Sequence, residues 1–447
     1  MENSTMSPIV HRIQSDEKLP EKVDIVVIGG GIVGSAAAYF LSKRNYRVAL
    51  VEKGWIGGEQ SGRNWGWCRQ QNRDARELPL AMKGMQLWDR LGEEIGEDLG
   101  FRRNGLIYAS TRSADVEQWE RWRNVARQFD FETHMLTAKQ AKEMTPGSTR
   151  DWIGGVYSPT DGKAEPSRAA PILAHGARKN GAVILQDCAA RGLDISGGRV
   201  SGVITEKGLI RADMVLCAGG AWASMFCRRH GIDLPQAGVR QTTLRTKPTA
   251  DVVEGGFYNP EVTLTRRLDG SYTMALSGRG TVEITPQGLR YATQFVPMFR
   301  KHMKALRVRL GRSFFEGPEA LMRWGFDSIS PFERVRVLDP APNKKMVGLT
   351  LEKAKSIYPA LENVEIAQAW GAWIDTMPDA MPVISQAPSL PGFFIAAGLS
   401  GHGFGLGPAA GHLAADIITG DLPISDPNPY RYSRFFDGSR IQAPGGI

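Results

Sequence analysis

Cysteine is scarce in this chain. Its 447 residues hold four, Cys68, Cys188, Cys217 and Cys227, with no C-x-x-C pair and no metal-ligand spacing. A disulfide framework and a cysteine-held metal are therefore not what organises it, and no metal site is expected; the four suit a reducing compartment as packing residues. Long apolar runs are also few. The uncharged window Ile25–Ser42 approaches the length of a membrane span, but three consecutive glycines inside it argue against one. The opening Met1–Lys22 is polar and mixed in charge, without the apolar core of a signal peptide, so it reads as a partly ordered tail on a cytoplasmic protein. Charge of one sign is not concentrated anywhere: the net +8 is spread over doublets such as Arg102-Arg103, Arg228-Arg229 and Arg266-Arg267, a poor footprint for nucleic acid. At 42% hydrophobic and 23% charged the composition is that of a soluble globular protein, and the length predicts two domains.

What is present begins at Val23. Val23–Ile28 is an apolar, β-branched run, the pattern of a strand buried in a parallel sheet. Gly29-Gly-Gly31-Ile32-Val33-Gly34 follows at once, Ser35–Lys43 has helical spacing, and Tyr46–Val51 predicts a second strand ending at the acid Glu52. This is the strand–turn–helix–strand context in which G-x-G-x-x-G means a dinucleotide site. Gly29 permits the turn, Gly31 lets a pyrophosphate approach the backbone, and Gly34 lets helix and strand pack closely. The helix N-terminus offers unpaired N–H groups to the phosphates, and Glu52, 18 residues after Gly34, sits where a carboxylate binds ribose hydroxyls.

Lys53–Gly66 (KGWIGGEQSGRNWG) is predicted as a glycine-rich loop wrapping a ligand, with Ser61, Arg63 and Asn64 as donors and Trp55, Trp65 and Trp67 close by. Arg69–Arg73 either lines a substrate entrance or opens a helix on a solvated face. Glu77–Leu91 is a core helix. Gly105–Ser110 reads as a strand, Ser113–Arg127 as a charged helix and Thr137–Met144 as a short helix capped by Thr137, all in a second domain. Ser167–Lys179 is an amphipathic helix. Strands are predicted at Ala182–Asp187, Gly198–Thr205, Leu209–Arg211 and Met214–Cys217, the last running into Ala218-Gly-Gly-Ala-Trp222. Arg240–Ile284 has the Thr/Val/Tyr content and turns of antiparallel strands. Gln294–Val308 is predicted helical, with Met303 on its apolar face, and Glu333–Val337 and Ala367–Trp370 as strands. Finally, Phe393–Ala397 is a buried strand leading into the glycine-rich Gly398–Gly407. A helix is expected to start near Pro408 and stop at Gly420. A glycine loop feeding a helix N-terminus is a second anion-friendly site.

The two glycine stretches, with SGRNWG (Ser61–Gly66), DGKAEP (Asp161–Pro166), CAGGAW (Cys217–Trp222), TMPDAMPVI (Thr376–Ile384) and AAGLSGHGFGLGPAAG (Ala396–Gly411), resemble the D-amino-acid oxidase (DAO) superfamily of FAD-dependent oxidoreductases. That group contains glycine oxidase, sarcosine oxidase and D-amino-acid dehydrogenase. The resemblance implies an α/β fold: a Rossmann-like FAD-binding domain with a second, mainly antiparallel α+β substrate domain. The expected division is 20–99, 151–235 and 367–447 for FAD binding, and 100–150 and 236–366 for substrate. It implies noncovalent FAD, because SGRNWG holds neither the histidine nor the cysteine through which some relatives bind the flavin covalently. FAD contacts are expected from Gly29, Gly31, Ile32, Val33, Gly34, Glu52, Lys53, Ser61, Gly62, Arg63, Asn64, Trp65, Gly66, Ala218, Gly219, Trp222, Gly398, Gly401, His402, Gly403 and Phe404.

The implied reaction is oxidation of the C–N bond of an amino acid or amine by hydride transfer to flavin N5, with hydrolysis of the imine and reoxidation by oxygen or a quinone or electron-transfer partner. A homo-oligomer is compatible with this. Relatives that oxidise α-amino acids often carry an arginine just before the TMPD-like segment, whereas this chain has Ala369-Trp-Gly-Ala-Trp-Ile-Asp375. Another arginine (Arg69, Arg266 or Arg323) then binds a carboxylate, or the substrate lacks one there. Trp370, Trp373 and Asp375 are expected to line the substrate pocket with Arg69, and His402 and Arg69 are the catalytic candidates. The alternatives are C–O oxidation of a hydroxy acid or polyol, and a flavin-binding electron-transfer subunit.

Overall fold

The computed structural model describes residues 7–302 and 306–443. Around the first strand stands a six-stranded sheet in the order Val383–Gln386, Phe393–Ala397, Met214–Cys217, Ile25–Ile28, Val48–Val51, Val183–Leu185. All its pairings are parallel except the outermost, where Val383–Gln386 runs antiparallel to Phe393–Ala397. Its central strands are apolar throughout because both faces are covered. Ile25 and Val27 point into one core with the helices Ile32–Lys43, Ala169–Lys179 and Gly403–Thr419. Val26 and Ile28 point into another, beside the three-stranded sheet Ala190–Ser196, Arg199–Thr205, Gly208–Arg211. The helices lie almost backbone to backbone: a Cβ on Gly411 would stand 2.5 Å from Ala36 Cβ and 2.8 Å from Val33 O.

The second sheet has ten strands and mixed direction. From its outer edge it runs Leu306–Leu310, Gly280–Ile284, Ala237–Thr246, Tyr272–Leu276, Val262–Arg266, Gly256–Tyr258, Leu106–Ser110, Gly154–Ser158, His134–Thr137, with Ile366–Thr376 paired antiparallel along Ala237–Thr246. Two expected boundaries therefore move. Gly154–Ser158 and Ile366–Thr376 hydrogen-bond into this sheet, not the first, because their partners Leu106–Ser110 and Ala237–Thr246 lie there.

Several element expectations also change. The first helix begins at Ile32, inside the glycine turn, and a short helix, Gln60–Arg63, forms within the presumed loop. Glu333–Val337 is not a strand: Ser330 and Glu333 form a capping box around Pro331, so Pro331–Arg334 is helical. The predicted helix at Gln294–Val308 ends at His302, and Leu306–Leu310 becomes the edge strand; Met303 falls outside the described residues. The last helix starts at Gly403, which places Pro408 in its interior rather than its first turn, and it stops at Gly420 with φ 74° as expected. Thr137 caps Ala138–Glu143 through a capping box. The opening segment packs on the body: Ser7 Oγ donates to Asp339 Oδ2 (2.8 Å), His11 N to Ser167 O (2.8 Å), and Val10 is buried. Among the described residues no helix is long and apolar enough to cross a membrane.

Candidate active site

A cavity of about 520 Å³ runs from the glycine turn of the first sheet to the inner strands of the second. At its first end the wall is backbone. Gly31 is open: an added Cβ would meet only Ser61 Oγ, at 3.3 Å. Gly34 is closed, since a Cβ there would stand 2.0 Å from Gly29 O, and Gly29, at φ +103°, abuts Ala218 O. Gly34 thus serves helix–strand packing, while Gly29, Gly31, Ile32, Val33, Ala218 and Gly219 face the cavity. Ser61 Oγ accepts from Ile32 N (2.9 Å) and holds the loop across the helix start. Glu52 accepts backbone N–H groups from Gly30 (2.7 Å) and Gly54 (2.8 Å). Burial raises its pKa, against the pull of Lys53 and those two donors.

Other expected donors are committed inside the protein. Lys53 Nζ donates to Glu59 (2.6 Å) and to the carbonyls of Val335 and Arg336, and lies 4.6 Å from the Trp222 ring centroid. The Trp222 indole N–H donates to the same Glu59 (3.1 Å). Arg63 is 1% exposed and donates to Asp339 Oδ1 (2.6 Å), Gly371 O, Ser7 Oγ and Gly58 O. It lines the cavity but acts as a bolt joining its own loop to the opening segment, Asp339 and the strand Ile366–Thr376 rather than as a free donor. Asn64 closes a turn, accepting from Gly66 N (2.7 Å) and donating to Ser61 O (2.7 Å). Gly62, Gly66, Gly398 and Trp370 stand off the wall; the Trp370 indole donates to Arg63 O (3.0 Å).

Asp375 does reach the cavity, with Trp373. It is 4% exposed and accepts from Gly398 N (3.0 Å) and Gln236 Nε2 (3.3 Å), while its carbonyl accepts from Ser400 N (2.9 Å). It fixes the turn before Gly401-His402-Gly403-Phe404, all four of which line the wall. Burial pushes its carboxyl up to about 6, although Gly398 N–H and Gln60 favour its charged form.

The segment Arg69–Arg73 is not a solvated helix start. Gln70, Gln71, Asn72 and Arg73 are buried, and Arg69, Asn72 and Arg73 line the far end of the cavity. Arg69 Nη1 donates to Gln71 O (2.8 Å) and Tyr108 Oη (3.0 Å). Behind Arg73 lies Glu77, wholly buried and missed by the sequence reading, which took Glu77–Leu91 as plain core helix. The His402 Nδ1 is 2.9 Å from Glu77 Oε2, and Arg73 Nη1 is 3.6 Å from the same oxygen. Burial and the neighbouring Arg73 hold His402 below its usual range, so the imidazole is neutral at pH 7. The Nδ1–H therefore donates to Glu77, and the other ring nitrogen carries the lone pair. Burial alone would push Glu77 up, yet His402 and Arg73 hold it below its usual range; with the imidazole neutral, we assign the compensating charge to Arg73. Burial and Arg69 bring Arg73 down to about 10, still a cation, and its Nη1 has no hydrogen-bond partner among the described residues.

The family model described as FAD dependent oxidoreductase (DAO) matches residues 24–417. The chain belongs to this family. Its relatives include the sarcosine oxidase subunit beta of Arthrobacter sp., 25% identical over 94% of this chain and 93% of that one. The 4-methylaminobutanoate oxidase (formaldehyde-forming) of Paenarthrobacter nicotinovorans is 26% identical over 94% of this chain, which spans only 46% of that protein. Among solved structures, the L-amino acid deaminase from Proteus myxofaciens superposes with a TM-score of 0.91 at 29% identity, covering 96% of this chain and 97% of that one. The protein is a DAO-family oxidoreductase and its cofactor is FAD. The wall fits that group: the open backbone at Gly31, the carboxylate at Glu52 and the Gly401–Phe404 turn at a helix N-terminus all border one cavity.

Proposed function

We propose that this protein oxidises the C–N bond of an amino acid or amine whose carboxylate is received by Arg73 and Arg69, with FAD held noncovalently. The observation that carries this reading is Arg73 on the cavity wall, a buried cation whose Nη1 lacks a hydrogen-bond partner among the described residues, beside Arg69 and next to the Gly401–Phe404 turn. A carboxylate would supply the missing acceptor; Glu77 already balances Arg73, so the charge it answers is that of Arg69, which donates to a carbonyl and a hydroxyl. This replaces the absent arginine before Thr376; Arg266 instead pairs with Asp251.

With FAD bound, the chemistry supplied is two-electron oxidation, hydride leaving the carbon that bears nitrogen and water hydrolysing the resulting imine to a carbonyl compound and an amine. The chain's own part is binding and orientation. Gly29, Gly31 and Glu52 hold the dinucleotide, Arg69 and Arg73 hold the carboxylate, and the Gly403 helix N-terminus stabilises negative charge beside it. His402, kept neutral and oriented by Glu77, offers a lone pair as proton acceptor for the substrate ammonium.

The test is anaerobic bleaching of the flavin band by D- and L-amino acids, N-methyl amino acids and simple amines. Bleaching by one carboxylate-bearing class supports the reading, and admitting oxygen then separates oxidase from dehydrogenase. Reduction by a hydroxy acid or polyol, with none of these active, overturns it.

A further inference from the structure

The far end of the cavity is walled by aromatic rings that the reaction itself does not require. Trp65, Trp67, Tyr108, Trp119 and Tyr258 all line it. They come from the segment after Arg63, the strand Leu106–Ser110, the helix Ser113–Ala126 and the strand Gly256–Tyr258, so the fold gathers them from four places. Ring centroids lie 5.3 Å apart for Trp65 and Trp67, 6.3 Å for Trp67 and Tyr108, 5.8 Å for Tyr108 and Trp119, and 4.8 Å for Tyr108 and Tyr258. Trp67, Tyr108 and Trp119 are buried core members, whereas Trp65 and Tyr258 are only partly buried. Arg69 joins the rings to the cation pair, donating to Tyr108 Oη and standing 5.9 Å from the Trp67 centroid.

Resting on the carboxylate reading above, we infer that the side chain this site selects is aromatic, its ring entering the chamber between Trp65 and Tyr258 while Arg69 and Arg73 hold its carboxylate. Offset and edge-to-face ring packing favours a flat π-system over an aliphatic chain of equal size. A cationic side chain would meet Arg69 and Arg73. A glycine-sized substrate would make no contact with the partly buried Trp65 and Tyr258.

Binding without turnover tests this. The flavin absorbance of the holoenzyme is titrated with phenylacetate, cyclohexylacetate and 3-methylbutanoate, which share the carboxylate and cannot be oxidised at a C–N bond. Phenylacetate is expected to bind at least tenfold tighter than 3-methylbutanoate and at least threefold tighter than cyclohexylacetate; a smaller ratio in either comparison overturns the inference. Tyr258→Leu keeps apolar bulk at a partly buried position and should reduce the phenylacetate advantage over cyclohexylacetate to below twofold with an unchanged melting temperature. If that ratio stays intact, the ring is not the selecting element; Trp65→Leu repeats the test should Tyr258→Leu fail to fold. The outcome separates from the reaction class: aromatic carboxylates binding tightly to an enzyme that no amine reduces would sink the C–N reading and leave this one standing.

Discussion

The two ends of the cavity are built by opposite means. At the glycine turn, the wall is backbone, and shape is set by what is missing from the side chains. At the ring-lined end, the wall is side chains converging from distant segments, around two arginines and a buried glutamate. The first kind of wall is shaped mostly by consecutive residues, closed at Gly29 and Gly34 and open at Gly31, with Ala218 as its distant neighbour. The second can be trimmed one group at a time, and each group depends on the tertiary fold. A cofactor common to a family suits the first, and a substrate particular to one protein suits the second.

The sharpest break in this contrast is Gly34→Val. With a Cβ forced 2.0 Å from Gly29 O, the first helix must leave the sheet, and we expect a loss of more than about 4 kcal/mol and little folded protein on expression. Gly31→Val should behave differently, because the space at that position faces the cavity. Far-UV circular dichroism should match the parent while the purified protein is colourless; a yellow preparation with full flavin content would end the assignment of this turn. At the other end, Arg69→Ala should weaken carboxylate binding by about 1.5–3 kcal/mol, roughly 10- to 150-fold in dissociation constant, without changing flavin content. An unchanged constant would remove Arg69 from the site.

Away from both ends, Glu319 sharpens the comparison through pH. It is 4% exposed and accepts from Gly238 N and Thr285 Oγ1. Burial pushes it up to about 7, above its value in the unfolded chain. The folded state therefore binds the proton more tightly, so stability falls as pH rises from about 4.5 to about 7, by roughly 3 kcal/mol. Glu319→Gln should make the fall in melting temperature across that window shallower, with Asp375 keeping its own contribution; a parallel slope in parent and variant would refute the assignment. The smallest effect is expected at the outer edge of the second sheet, where Leu310 is 70% exposed: Leu310→Ser should change stability by less than about 0.5 kcal/mol in chemical denaturation.

Much of the first wall was legible in the chain. Val23–Glu52 could be read because strand, turn, helix and acid are consecutive and each signal is local. The last helix is read nearly as well, but its start is placed late: proline is favoured in a first helical turn, which points to Pro408, whereas the helix already runs from Gly403 with Gly407 and Gly411 packed against Ile32 and Ala36. Arg63 and Asn64 were read as ligand donors because their neighbourhood is glycine-rich. The structure instead commits them to Asp339, Gly371 and Gly66, partners that no spacing reveals. Trp370 was named for the pocket together with Trp373, yet the indole of the former turns to Arg63 O while the latter lines the cavity.

By itself, then, the sequence determined the strand, glycine turn and helix of the first wall, since glycine's missing Cβ and a helix N-terminus are properties of neighbouring residues. Only the tertiary structure decided which side chains surround the rest of the cavity. Glu77 meets His402 across a separation of 325 residues, and Tyr108 meets Tyr258 across two strands that pair in parallel. Such contacts are set by how sheets and helices stack, which burial of the whole core dictates and no short window contains.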